Sequence, residues 1–181
     1  MITLDIPTDS DLLAAVGKVA LRHGQLDYVL RMTVKSILKL SIRDALDATD
    51  RQGSHGLRDR VRKLAKQKFG EGETLVRLDA LLARSRRATA NRNEVLHSLW
   101  ARKAGKPIIR DDDGYAFRQI PTVTELEKMA DDLAEAASEL NDARMNGFLK
   151  EALSQLPANL PHEHARRHTI PYGKGQWEYA T

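Results

Sequence analysis

The chain has no cysteine. Disulfides, thiolate zinc sites, iron–sulfur clusters and cysteine nucleophiles are therefore excluded. Only 5% of its 181 residues are aromatic. Scarce aromatics beside many Ala, Leu, Arg and Asp favour packed helices over sheets. No stretch reaches the about 18 apolar residues of a membrane span, so no membrane association is expected. The opening residues Met1-Ile2-Thr3-Leu4-Asp5 have no basic region and no apolar run. The expectation is no secretory signal and a cytoplasmic location. Lys18 lacks a preceding Gly-rich loop, which excludes a nucleotide-hydrolysing P-loop. A nucleophile elbow is also missing, so Ser/His/Asp catalysis is set aside.

The sequence does hold enough apolar residues, 41%, for one helical core and little more. Its charge is uneven. Residues 51–110 carry 16 Lys/Arg against 5 Asp/Glu, and residues 111–160 carry 4 against 11. The basic block includes Arg58, Arg60, Arg62, Lys63, Lys66 and Lys68, then Arg84, Arg86 and Arg87. Such density can bind phosphates, and Arg58, Arg62 and Lys66 are candidate RNA contacts. A solvated helix surface neutralised by the acidic last helix is the ordinary alternative.

Apolar spacing of three and four predicts an all-α, antiparallel bundle of four to five helices with a small β-hairpin before the last long helix. Thr8, Asp9 and Ser10 offer caps for a first helix reaching about Leu40, with Leu12, Val16, Val19, His23, Leu26, Leu30, Val34 and Ile37 inward. Ser41 to Asp47 can form a short helix, and residues 48–56 read as a loop. A third helix spans about Leu57 to Phe69, stopped at Gly70. A fourth runs from about Glu73 to Arg102, with Leu78, Leu81, Ser85, Ala88, Arg92, Val95, Leu96 and Leu99 inward. Residues 107–120 read as a hairpin turning at Asp111-Asp112-Asp113-Gly114. Thr122 and Glu125 form a capping box for a last helix ending near Leu156. The expected domain is 1–156, with 157–181 a flexible or docking tail.

The chemically informative stretch is Ala90-Asn91-Arg92-Asn93-Glu94-Val95-Leu96-His97-Ser98-Leu99-Trp100. At ~100° per residue, Arg92 falls inside the apolar stripe. Asn93, His97, Trp100 and Arg86 form a polar and aromatic strip along one edge of it. An arginine on a core stripe is costly unless its head is paired or reaches a cleft. It could be a structural arginine paired with Asp27 or Glu94, or one wall of a site between helices or subunits.

Arg92-Asn93-x3-His97 resembles the signature of the HEPN superfamily, in which an Arg, usually followed by a polar residue, precedes a His by a short spacer. The likeness in organisation covers roughly residues 10–155. Gly24-Gln25-Leu26-Asp27 is similar to a stretch where many members carry an acid. The resemblance implies a helical bundle, homodimerisation and metal-independent cleavage of RNA, with the motifs of both subunits lining one cleft. Some family members only bind RNA or protein. Others are toxins with a Tyr two residues after the His, modified by an antitoxin; this chain has Leu99 there, so that regulation is not supported. A toxin, a phage-defence component and a processing enzyme would share these features.

The chemistry requires few parts. RNA carries its own nucleophile, the 2′-hydroxyl. An imidazole, with an ordinary pKa near ~6.5, can take its proton or protonate the leaving oxygen; His97 is placed in that role. Arg92 would hold the phosphate and stabilise its charge, and Asn93 would orient imidazole or phosphate. Arg86 and Trp100 would hold RNA by charge and stacking. No cofactor and no metal are expected. The expected partners are RNA, a second copy of the chain, and a protein partner or antitoxin. The alternative is the same module binding RNA or a protein without turnover. His162, Glu163, His164 and His168 have weak metal-site spacing without periodicity. The Asp111–Gly114 run lacks the ligand spacing of a calcium loop. His23, on the first helix's apolar stripe, is read as a core histidine; if that helix packs against Arg92, His23 or Asp27 would support the cleft instead.

Overall fold

The computed structural model describes residues 2–4, 6–110 and 116–156. The Asp111–Gly114 turn and the histidine-bearing tail lie outside the described residues. In chain order the elements are β1 (Ile2–Leu4), α1 (Ser10–Leu38), α2 (Ile42–Thr49), α3 (Ser54–Phe69), α4 (Glu73–Leu96), β2 (Trp100–Lys103), β3 (Lys106–Arg110), β4 (Phe117–Gln119), α5 (Val123–Met145) and α6 (Phe148–Ser154). The structure is mainly helical, as the periodicity predicts.

Local chemistry sets the helix ends. Asp9 caps α1 by accepting from the Leu12 amide at 2.9 Å. Ser41 caps α2. Thr122 and Glu125 form the reciprocal capping box of α5. The last helix is not continuous: it breaks at Asn146-Gly147, giving α5 and α6. A side chain at Gly147 would meet the Ala143 backbone at 3.2 Å, so glycine lets α6 fold back closely. Arg31 donates to the carbonyls of Thr49 and Gln52, and Arg60 donates to that of Ala48. These two arginines satisfy carbonyls at the end of α2 and fix where α3 begins.

The core forms two clusters. One joins Leu30, Val34 and Ile37 of α1 to Leu57 and Val61 of α3, Leu75, Leu78 and Leu82 of α4, and Leu140 of α5. The other joins Leu12, Val19 and Leu26 of α1 to Ala88 and Val95 of α4 and Leu126 and Leu133 of α5. These groupings show that α4 runs against α1 and α5. Lys18 lies 3.7 Å from Asp131, and Arg144 donates to Ser36; α1 and α5 therefore run in the same sense. The bundle is thus not uniformly antiparallel. Two long connections, one through α2 and one through the sheet, return the chain before the next helix starts.

The predicted hairpin is part of a larger sheet. β3 and β4 do pair, with Ile109 opposite Arg118. However, four strands lie in the order β1-β2-β3-β4, all antiparallel. β2 is drawn from residues whose spacing predicts the end of α4. It pairs with β1 on one side and β3 on the other, and those partners outcompete the local helical preference. Ala104 and Gly105, both at positive φ, make the two-residue turn between β2 and β3.

Candidate functional site

α4 ends at Leu96, and His97 is its C-cap residue. The ideal-helix placement of His97 and Trp100 therefore does not apply. His97 turns back, and Arg92 Nη1 lies 2.8 Å from His97 Nε2. The same Nη1 donates to Asn93 Oδ1 at 2.8 Å. Guanidinium nitrogens only donate, so His97 Nε2 accepts and carries a lone pair. Arg92, Asn93 and His97 of one chain are thus brought together through the long arginine side chain. Arg92 is half-buried, and its Nε is buried without a hydrogen-bond partner among the described residues.

These residues line one side of a cleft of about 390 Å³. The opposite side comes from α1 and α3. Ser54 Oγ donates to Asp27 Oδ1 at 2.6 Å and lies 2.8 Å from His23 Nε2. The single hydroxyl proton goes to the carboxylate, which only accepts, so His23 Nε2–H donates to Ser54. The result is a directed chain: His23 to Ser54 to Asp27. Burial lowers the His23 pKa; Asp27 opposes this, while Arg92, Arg58 and His97 add to it. Burial likewise lowers the guanidinium pKa of Arg92, with Asp27 opposing.

Arg58 also lines the cleft. It is not on the outer basic face that its neighbours in sequence occupy: it is 9% exposed. Its Nη1 donates to Thr89 Oγ1 at 3.2 Å, and Thr89 in turn donates to the Ser85 carbonyl at 2.8 Å. Burial lowers its pKa, Asp27 and Asp59 oppose, and Arg86 adds to the lowering.

The other candidates lie elsewhere. Arg62 and Lys66 are exposed and pair with Asp79 and Glu71. With Lys63 they border a separate open depression on α3. Arg86 is exposed on α4, outside the cleft lining. Trp100 opens β2, packs half-buried against the second core cluster, and donates from its indole to the Val95 carbonyl at 3.0 Å. It therefore closes the end of α4 and does not line the cleft. Sequence reasoning missed Ser54 and Thr89. Ser54 falls in a stretch read as loop, yet it opens α3; its only local signal is a serine between glycines at a helix start.

Among the described residues, no cluster of three or more His, Asp or Glu could hold a metal ion. No helix among them is long and apolar enough to cross a membrane. No family model, curated protein or solved structure matches the chain.

Proposed function

We propose that this chain is a HEPN-like, metal-independent endoribonuclease that acts as a homodimer. The observation that carries the reading is the hydrogen bond from Arg92 to Nε2 of His97, at the wall of a cleft of about 390 Å³. A phosphate entering the cleft competes for the Arg92 donors, since guanidinium prefers an anionic acceptor. Its movement onto the phosphate frees the His97 lone pair. His97 then takes the proton of the 2′-hydroxyl, whose oxygen attacks phosphorus. The bond to the 5′-oxygen breaks, and His97 returns its proton to that oxygen. The products are a 2′,3′-cyclic phosphate and a 5′-hydroxyl. Arg92 balances the charge gathering on the phosphoryl oxygens. Asn93 holds the Arg92 head at the level of His97. DNA has no nucleophile and is not cut.

The test uses total RNA and tRNA with the purified protein in excess EDTA. Wild type should generate cyclic-phosphate ends. Arg92→Ala should lose about 10²–10³-fold in rate, and His97→Ala about 10²–10⁴-fold. His97→Ala should keep its RNA affinity. Absence of cutting by folded wild-type protein overturns the nuclease reading. The exposed Arg62, Lys63 and Lys66 group favours a second reading, an RNA-binding module without turnover. That reading predicts binding whose salt dependence weakens when these three charges are removed.

A further inference from the structure

The proposed chemistry leaves a second cation of the cleft unused. Arg58 is buried, and among the described residues it has no carboxylate within ion-pair distance; its one hydrogen bond goes to the neutral Thr89 hydroxyl. The one carboxylate among the described residues that line the cleft, Asp27, already has Oδ1 engaged by Ser54. Two guanidinium groups thus face one carboxylate. Asp27 and Asp59 act on Arg58 without forming an ion pair with it; a buried charge without a direct ion-pair partner is unfavourable, and an entering anion relieves it.

A second feature of the same helix points the same way. α3 has 16 residues, and its N-cap is Gly53, which provides no side-chain cap. The first intrahelical bond runs from the Leu57 amide to the Gly53 carbonyl. The amides of Ser54, His55 and Gly56 precede it and meet no protein acceptor among the described residues. These residues line the same cleft as Arg58 and Arg92. Uncapped amides at the positive end of a helix bind anions.

We propose that the open end of α3 and Arg58 form a second phosphate subsite beside Arg92, so that the cleft grips a single RNA strand through two phosphates. This rests on the reading that Arg92 and His97 take a phosphodiester, and it narrows the substrate. A strand with a phosphate flanking the one held by Arg92 is preferred over a bare dinucleotide.

The test measures binding, not cleavage. The probe is a 2′-O-methyl adenylyl dinucleotide, which lacks the nucleophile, either bare or phosphorylated at both ends. The terminal phosphates should strengthen binding to wild type by about tenfold. The decisive variant is Gly53→Asp. Gly53 has extended backbone angles that any residue adopts, and an added Cβ meets nothing within 4 Å. An aspartate there caps the free amides and places a negative charge at the subsite. Gly53→Asp should therefore raise Tm while erasing the advantage of the terminal phosphates. Arg58→Met should erase the same advantage. Arg77→Met, which removes a cation stacked on Phe148 away from the cleft, should leave it intact. Three results each overturn the proposal: equal binding of the two probes by wild type, an advantage that survives in Gly53→Asp, or no binding of either probe at millimolar concentration. Failure of the nuclease reading alone looks different: no cyclic-phosphate ends from RNA, with the phosphate advantage still present.

Discussion

Ser54→Ala removes one oxygen from the junction of α1 and α3. That oxygen accepts from His23 Nε2 and donates to Asp27 Oδ1. Both partners stay in place after the substitution. His23 is buried and keeps an N–H with no acceptor; the Asp27 carboxylate, mostly enclosed, loses its one hydrogen-bond donor among the described residues. A neutral hydrogen bond contributes about 1 kcal/mol and one to a charged group about 1.5–3 kcal/mol, so the loss should reach about 2–4 kcal/mol. For a chain of this size that lowers Tm by roughly 5–15 °C. Urea denaturation followed by circular dichroism at pH 7.5 measures it, because the helices report the whole core. Pairing Ser54→Ala with His23→Leu gives a cycle with a coupling of about 1–2 kcal/mol, since the second substitution removes the group that the first leaves unpaired. A loss below about 0.5 kcal/mol for Ser54→Ala, or a coupling near zero, would refute the directed chain through Ser54.

Three further outcomes follow from the same geometry. Burial lowers the His23 pKa in the folded protein, so the unfolded chain binds more protons as pH falls below ~6.5, and stability should drop there; His23→Gln should flatten that part of a Tm-against-pH curve. Arg58→Met keeps the stem and removes a buried unpaired charge, while Thr89 keeps its bond to Ser85; stability should be unchanged or higher by about 1–2 kcal/mol in urea unfolding, even as RNA affinity falls. Ala104 sits in the left-handed region, at φ 49°; Ala104→Gly should stabilise the β2–β3 turn by about 0.5–1 kcal/mol, read as a small rise in Tm.

The helices were legible because their apolar positions recur on one face and their ends carry capping groups. Leu12, Val19, Leu26, Leu30 and Val34 of α1 are all buried, and the Thr122 box is found where it is written. The end of α4 was not legible. Glu94 to Trp100 continues a helical spacing, and only pairing with residues far away in the chain makes Trp100–Lys103 a strand. That strand is why Trp100 joins the core and why His97 turns back to Arg92. Arg58 was hidden for a related reason. Its charge resembles that of Arg62 and Lys66, but what distinguishes it is a hydroxyl on another helix and a cleft into which it fits. Composition records how many cations a helix carries, not which of them a neighbouring helix encloses.

The pairing of Ile2 with Lys103 closes a loop that spans most of the described chain. Loops of this length bring a loop-closure entropy cost that is met only when the rest of the bundle has formed. β1 is also three residues long and exposed throughout. It should therefore join last during folding and detach first during native fluctuations, and its amides should exchange with deuterium ahead of those in α1 and α5. Such fraying uncovers one edge of β2, whose first residue follows His97 by three positions. The earliest opening of this molecule thus starts at its amino-terminal end and arrives at the histidine from the strand side, while the helices behind Arg92 remain closed.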